Sequence, residues 1–147
     1  MKCLWRERIQ TLTPDVTFAA PADDIELAAV EQALNVALPG DLRELLLETN
    51  GVLGEYDLGL VWPAERIAVD NQSFRSKEEF RELYMPFDHL LFFADAGNGD
   101  QIPFAILAGA VRRPDVYAWN HEDDSRTWVA ASLATYLEWW LTGRIKL

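Results

Sequence analysis

One cysteine in 147 residues, Cys3, leaves nothing to close an internal disulfide, which suits a reducing compartment. The two histidines, His89 and His121, are equally sparse. With Cys3 they are too few and too scattered to supply a zinc site, and His121-Glu122-Asp123-Asp124 lacks the second histidine at i+4 that a zincin helix needs. No window approaches the ~20 apolar residues needed to cross a bilayer. The N-terminal run Met1-Lys2-Cys3-Leu4-Trp5-Arg6-Glu7-Arg8 carries charge where a signal peptide needs an apolar stretch, so the expected location is cytoplasmic. Outside a secretory route, the sequon Asn71-Gln72-Ser73 is a chance match. Repeats, low-complexity tracts and linkers are absent, and the expectation is a single domain spanning 1–147.

Positive charge is also in short supply. Thirteen Lys and Arg stand against 24 Asp and Glu, for a net charge of −11. Residues 1–40 carry 3 basic and 6 acidic side chains, 41–100 carry 5 and 13, and 101–147 carry 5 and 5, so the middle of the chain supplies most of the excess. Such a field repels nucleic acid and anionic lipid and attracts basic partners at long range. Solubility alone also favours acidic surfaces.

Catalytic templates fail in turn. Gly97 and Gly99 of Asp95-Ala96-Gly97-Asn98-Gly99-Asp100 stand where a calcium loop needs oxygen-bearing side chains. The same glycines do not make a phosphate cradle, because a strand follows instead of a helix and Asp95 and Asp100 flank them with negative charge. Positive-φ geometry in a hairpin is their expected role. Ser73, Ser76, Ser125 and Ser132 show no nucleophile elbow, and no acid/base pair among the carboxylates stands out. The chain is expected to be no enzyme and to need no metal or cofactor.

What is present is core: 50% hydrophobic and 12% aromatic residues, enough to bury roughly 70% of the unfolded surface at this length. Trp5, Ile9 and Leu12 share a helical face that Thr13-Pro14-Asp15 ends. Asp23 and Glu26 form a capping box for a helix whose apolar side is Ile25, Ala29, Ala33 and Leu34. After Leu38-Pro39-Gly40 a third helix runs from Asp41 to about Thr49, with Leu42, Leu45 and Leu46 inward and Asn50-Gly51 ending it. Leu60-Val61-Trp62-Pro63 is a short extended piece, and Ala64 to Asn71 a turn or two of helix. Ser76-Lys77-Glu78-Glu79 reads as a second capping box, opening a helix that Pro86 stops.

Leu90 to Ala94 and Gln101 to Leu107 then read as strands joined by the Asp95–Asp100 loop, with Pro103 marking an edge or a bulge. Val116 to Trp119 and Arg126 to Val129 form a second pair around Asn120 to Ser125. A last helix opens at Ser132, carries the stripe Leu133, Tyr136, Leu137, Trp140 and Leu141, and closes at Gly143. Helices, then an antiparallel meander, then a helix: the class is α+β, a largely antiparallel sheet of about 4–6 strands with the C-terminal helix packed on it. Of the six tryptophans, those on helical stripes read as core. Trp62 and Trp119 end strands beside loops, where they are read as interface anchors or as half-buried strand ends.

Ile25 and Glu31, Leu38-Pro39 with Leu42 and Leu45-Leu46, and Asn50-Gly51 follow one another in the order that opens SUKH domains. Trp62-Pro63 with Glu65, Ile67 and Asn71, then Met85-Pro86-Phe87 and Leu91-Phe92-Phe93-Ala94-Asp95, continue the pattern. Gly97-Asn98-Gly99-Asp100, Val116-Tyr117 with Trp119, His121 and Glu122, and the helix from Leu133 to Gly143 complete it. From about residue 18 onward the chain resembles the SUKH superfamily, which includes a fungal cell-wall-synthesis regulator and many bacterial immunity proteins. The resemblance implies an α+β fold and a binding function, and transfers no catalytic residue. It implies a cytoplasmic immunity protein that neutralises a cognate toxin, often a nuclease. A nuclease must be basic to hold phosphates, and an acidic inhibitor could steer to it and occlude it. The alternative is a regulatory or scaffold protein with no toxin partner. The expected binding surface comprises Asn50, Asp95, Asn98, Asp100, Trp119, His121, Glu122, Asp123 and Asp124, with Glu55, Asp57 and Trp62 as second choices. The chain is expected to be a monomer or weak homodimer.

Overall fold

The computed structural model describes residues 4–147; Cys3, expected in a first helical turn, lies outside them. Helix α1 (Leu4–Leu12) buries Trp5 and Ile9. Its first amides donate to one carboxylate, Glu48, at 2.9 Å from Trp5 N and 3.1 Å from Arg6 N, which satisfies donors a helix start leaves open. Helix α2 (Asp24–Leu34) has the expected capping box: Asp23 accepts from Glu26 N and Glu26 from Asp23 N. Its inward face, however, is Leu27, Val30 and Leu34; Ile25, Ala29 and Ala33 are exposed. Helix α3 (Gly40–Glu48) buries Leu42, Leu45 and Leu46 completely.

The strands form two antiparallel sheets, in place of the one expected. The smaller joins β1 (Thr17–Phe18), β2 (Val52–Leu53) and β3 (Gly59–Val61); the larger joins β4 (Leu90–Asp95), β5 (Gln101–Ala105), β6 (Val116–Trp119) and β7 (Arg126–Ala130), each set in chain order. Pro103 lies in an interior strand, so the edge reading fails and the bulge reading holds. The β4–β5 register passes from Phe92–Pro103 to Ala94–Ile102 and skips Phe93, whose carbonyl instead accepts from Trp62 N at 2.7 Å. That bond ties the two sheets together.

Beside it, buried Asn71 acts as a strand surrogate. Its side-chain carbonyl accepts from Phe92 N at 2.8 Å, and its amide donates to Phe92 O at 2.9 Å. The outer edge of β4 is thereby finished without another strand, as burial of its polar groups requires.

Asn71 belongs to helix α4 (Ala64–Ser76), which runs past the expected Asn71. Phe74 packs on Phe92 with ring centroids 4.6 Å apart, and Arg75 donates to Leu34 O and Leu90 O, so tertiary contacts hold the extra turn. Ser76 consequently ends α4, donating back to Gln72 O, and Lys77 precedes α5 (Glu78–Leu83) with no side-chain cap; the second capping box is absent. Helix α6 (Leu133–Leu141) starts with Ser132 accepting from Thr135 N and buries Leu133, Tyr136 and Leu137. Phe93 stacks on Phe104 and meets Tyr136 edge-on, which seats α6 on one face of the larger sheet. Phe74, Phe87 and Trp119 gather around Phe92 on the other.

Candidate functional site

Three loops come together at one end of the molecule. The β4–β5 hairpin loop stands in the middle: Ala96 N donates to Asp100 O, Asn98 Oδ1 accepts from Asp100 N, and Gly97 and Gly99 take φ of +91° and +94°. A Cβ on Gly97 would touch Leu58, beside the 3-10 turn Glu55–Asp57. A Cβ on Gly99 would lie 2.7 Å from the His121 ring, in the β6–β7 loop. The 3-10 turn with Glu55 and Asp57 and the loop with His121, Glu122, Asp123 and Asp124 therefore each adjoin the hairpin loop that carries Asp95, Asn98 and Asp100. Between the 3-10 turn and the hairpin lies a cleft of about 280 Å³ bordered by Tyr56, Asp57, Asp95 and Asp100.

The carboxylates there divide into two sets. Asp95 faces Arg66 through two bonds of 2.8 and 2.9 Å, and Arg66 also meets Asp70. Asp100 is buried and accepts from His121 N at 3.1 Å, with His121 Nδ1 at 2.7 Å. Asp124 accepts from Trp119 Nε1, Met85 N and Arg126, at 2.7, 2.8 and 3.0 Å. Burial by itself would raise the Asp124 pKa, but these three donors outweigh it and hold the carboxyl below its usual range. These three residues organise the loops. Glu55, Asp57, Glu122 and Asp123 form the second set: they are exposed and enter none of the ion pairs among the described residues. Ser125, by its hydroxyl and its amide, holds Asp123 below the usual carboxylate pKa, which keeps it charged.

Three expected contact residues are structural. Trp62 is completely buried, with the Arg66 guanidinium 4.1 Å above its ring, and Trp119 is 3% exposed within the Phe74–Phe87–Phe92 cluster. Neither offers apolar surface to a partner. A strand end beside a loop looks open in sequence, and nothing local reveals that an aromatic cluster covers Trp119. Asn50 accepts from Ala64 N at 2.8 Å, capping α4 across 14 residues where Pro63 has no side-chain oxygen to do so.

The residue missed from sequence is Tyr56, 98% exposed at the tip of the 3-10 turn with φ of +58°. Asp57 shares that left-handed conformation. A bare tyrosine held in an unfavourable backbone region beside two unpaired carboxylates has the character of a contact residue. The available signal was an aromatic residue between two acids in a segment bounded by Gly54 and Gly59.

The family model SUKH_6, described as SMI1-KNR4 cell-wall, matches residues 24–137. No curated protein matches the chain. The matched span runs from the first residue of α2 into α6, and so takes in all three loops. By that match, the chain belongs to the SUKH superfamily, whose members bind partner proteins.

Proposed function

We propose that this chain is a non-catalytic, cytoplasmic immunity protein that neutralises a cognate basic toxin by covering it with the acidic loop end. The observation that supports the reading is that Glu55 and Asp57 in one loop and Glu122 and Asp123 in another, each loop adjoining the β4–β5 hairpin, are exposed and outside the ion pairs among the described residues, with Tyr56 98% exposed between the first two. Charges of one sign on adjoining loops speed encounter with an oppositely charged partner, and a rigidly presented tyrosine supplies apolar contact and a hydroxyl at the centre. Asp95, Asp100 and Asp124 support that surface from behind. No helix among the described residues is long and apolar enough to cross a membrane.

The test starts from the adjacent gene. Its product is expected to end in a basic toxin domain that co-purifies with this chain and is inactivated by it. Tyr56→Ala should weaken the complex by about tenfold or more. Charge reversal at Glu55 and Asp57 should slow association at low salt and remove most of its salt dependence. An association rate indifferent to ionic strength rejects the steering mechanism, and an unrelated neighbouring gene whose product does not bind rejects the toxin.

A further inference from the structure

Helix α2 carries two apolar stripes, and the fold uses one. Leu27, Val30 and Leu34 enter the core, while Ile25, Ala29 and Ala33, spaced i, i+4, i+8, remain outside it, with Ile25 80% exposed. Alongside, α4 presents Ala68 and Val69, the latter 54% exposed. Between the helices lies a groove of about 270 Å³ floored by Ala29, Val30, Ala64, Ala68 and Val69. Its charged lining consists of two carboxylates, Glu26 and Glu65, and no Lys or Arg.

We infer that this groove is a second protein-docking surface, and that its occupant is a basic amphipathic helix of a partner protein. Two observations and one consequence of them carry the choice. The floor is apolar and alanine-lined, so a partner backbone could come close enough to seat branched aliphatic side chains between the helices. Glu26 and Glu65 at the mouth match Lys or Arg flanking those side chains. A second copy of this chain would bring its own acidic rim against them, so self-association is opposed by like charge. The groove is built from α2 and α4 and shares no lining residue with the cleft beside Tyr56. The inference therefore does not depend on the partner being a toxin.

The probe is a synthetic Leu/Lys amphipathic helix, compared with a scrambled peptide of the same composition and with a Leu/Glu counterpart. Titration into the labelled full chain, followed by amide and methyl NMR, should move Ala29, Val30, Ala68 and Val69 and leave Tyr56 and Asp57 in place. The scrambled and acidic peptides should bind at least about tenfold more weakly. Val69→Glu should reduce affinity for the Leu/Lys helix by about tenfold, and Glu65→Lys, an exposed change that leaves the floor intact, should also weaken it. Tyr56→Ala should change nothing in this titration, so failure here and failure of the toxin reading are separately visible. Equal binding of the scrambled peptide, shifts confined to the Tyr56 loop, or concentration-dependent self-association abolished by Val69→Glu would each overturn the inference.

Discussion

At the scale of single residues, Asp124 shows how a residue that looks like a contact can be a keystone. Its carboxylate unites Trp119, Arg126 and the Met85 amide, so Asp124→Ala strands the Trp119 and Met85 donors and leaves Arg126 only the Met85 and Pro86 carbonyls. The loss should be about 2–4 kcal/mol in denaturant unfolding, far above the effect of an exposed carboxylate. Because its folded pKa is depressed, its stabilisation is complete above the ordinary value of 3.8 and is lost as pH falls through the lower folded value. Asp124→Asn should flatten that acid limb of the stability curve.

Tyr136 provides the opposite case. Burial, reinforced by the charge of Asp95, pushes its phenol pKa up, and its hydroxyl has no hydrogen-bond partner among the described residues. Folding therefore favours the protonated phenol, and its contribution falls away as pH rises above the ordinary 10.0. Tyr136→Phe should leave stability unchanged or raise it by up to about 1 kcal/mol; a loss larger than that would mean the hydroxyl has a partner in solution.

At the scale of elements, what could be read in the sequence was whatever is local. Asp23 with Glu26, Ser132, the Thr13-Pro14-Asp15 stop and the two-glycine hairpin each lie within a few residues of the group they satisfy, and each stands where its pattern placed it. What could not be read depends on neighbours distant in the chain. Ser76 resembled a cap, but α4 continues because Phe74 and Arg75 find Phe92, Leu34 and Leu90. Ile25 resembled core, but α2 turns its Leu27, Val30 and Leu34 face inward and leaves Ile25 on the opposite side. Trp62, Trp119 and Asn50 resembled a surface, but Trp62 is tied to Phe93, Trp119 packs among Phe74, Phe87 and Phe92, and Asn50 caps a helix 14 residues on. The Asn50 cap makes the clearest test of such a link. Asn50→Ala should cost about 1 kcal/mol and increase amide exchange in the first turn of α4, whereas Asn50→Asp, which keeps the acceptor, should preserve most of it. Gly99→Ala should be worse than Gly97→Ala, although both lie at positive φ, because only the first drives a methyl into the rigid His121 ring.

At the scale of the whole molecule, the chain carries a net charge of −11, and among the described residues Glu55, Asp57, Glu122 and Asp123 enter no ion pair. Self-repulsion of that size weakens the compact state, and salt relieves it as the Debye length falls from about 30 Å at 0.01 M to about 8 Å at 0.15 M. Thermal stability at neutral pH should therefore rise over that range. A fall would mean that the Arg66–Asp95–Asp70 and Arg126–Asp124 pairs outweigh the repulsion. The two sheets, joined by Trp62 N to Phe93 O and sealed by Asn71, bring the 3-10 turn and the hairpin to the same end, where Asp57, Asp95 and Asp100 border one cleft.

The left-handed turn at Tyr56 and Asp57 has a consequence for how such a protein can change its partner. Its tip costs the fold about 1–2 kcal/mol per left-handed residue and inserts no side chain into the core. Tyr56→Gly should thus yield a more stable protein, and under the proposed function one that binds its partner less tightly, so that durability and recognition would pull in opposite directions at one codon. A position under that tension can be exchanged without repacking anything beneath it, like the cut of a key on an unchanged blank.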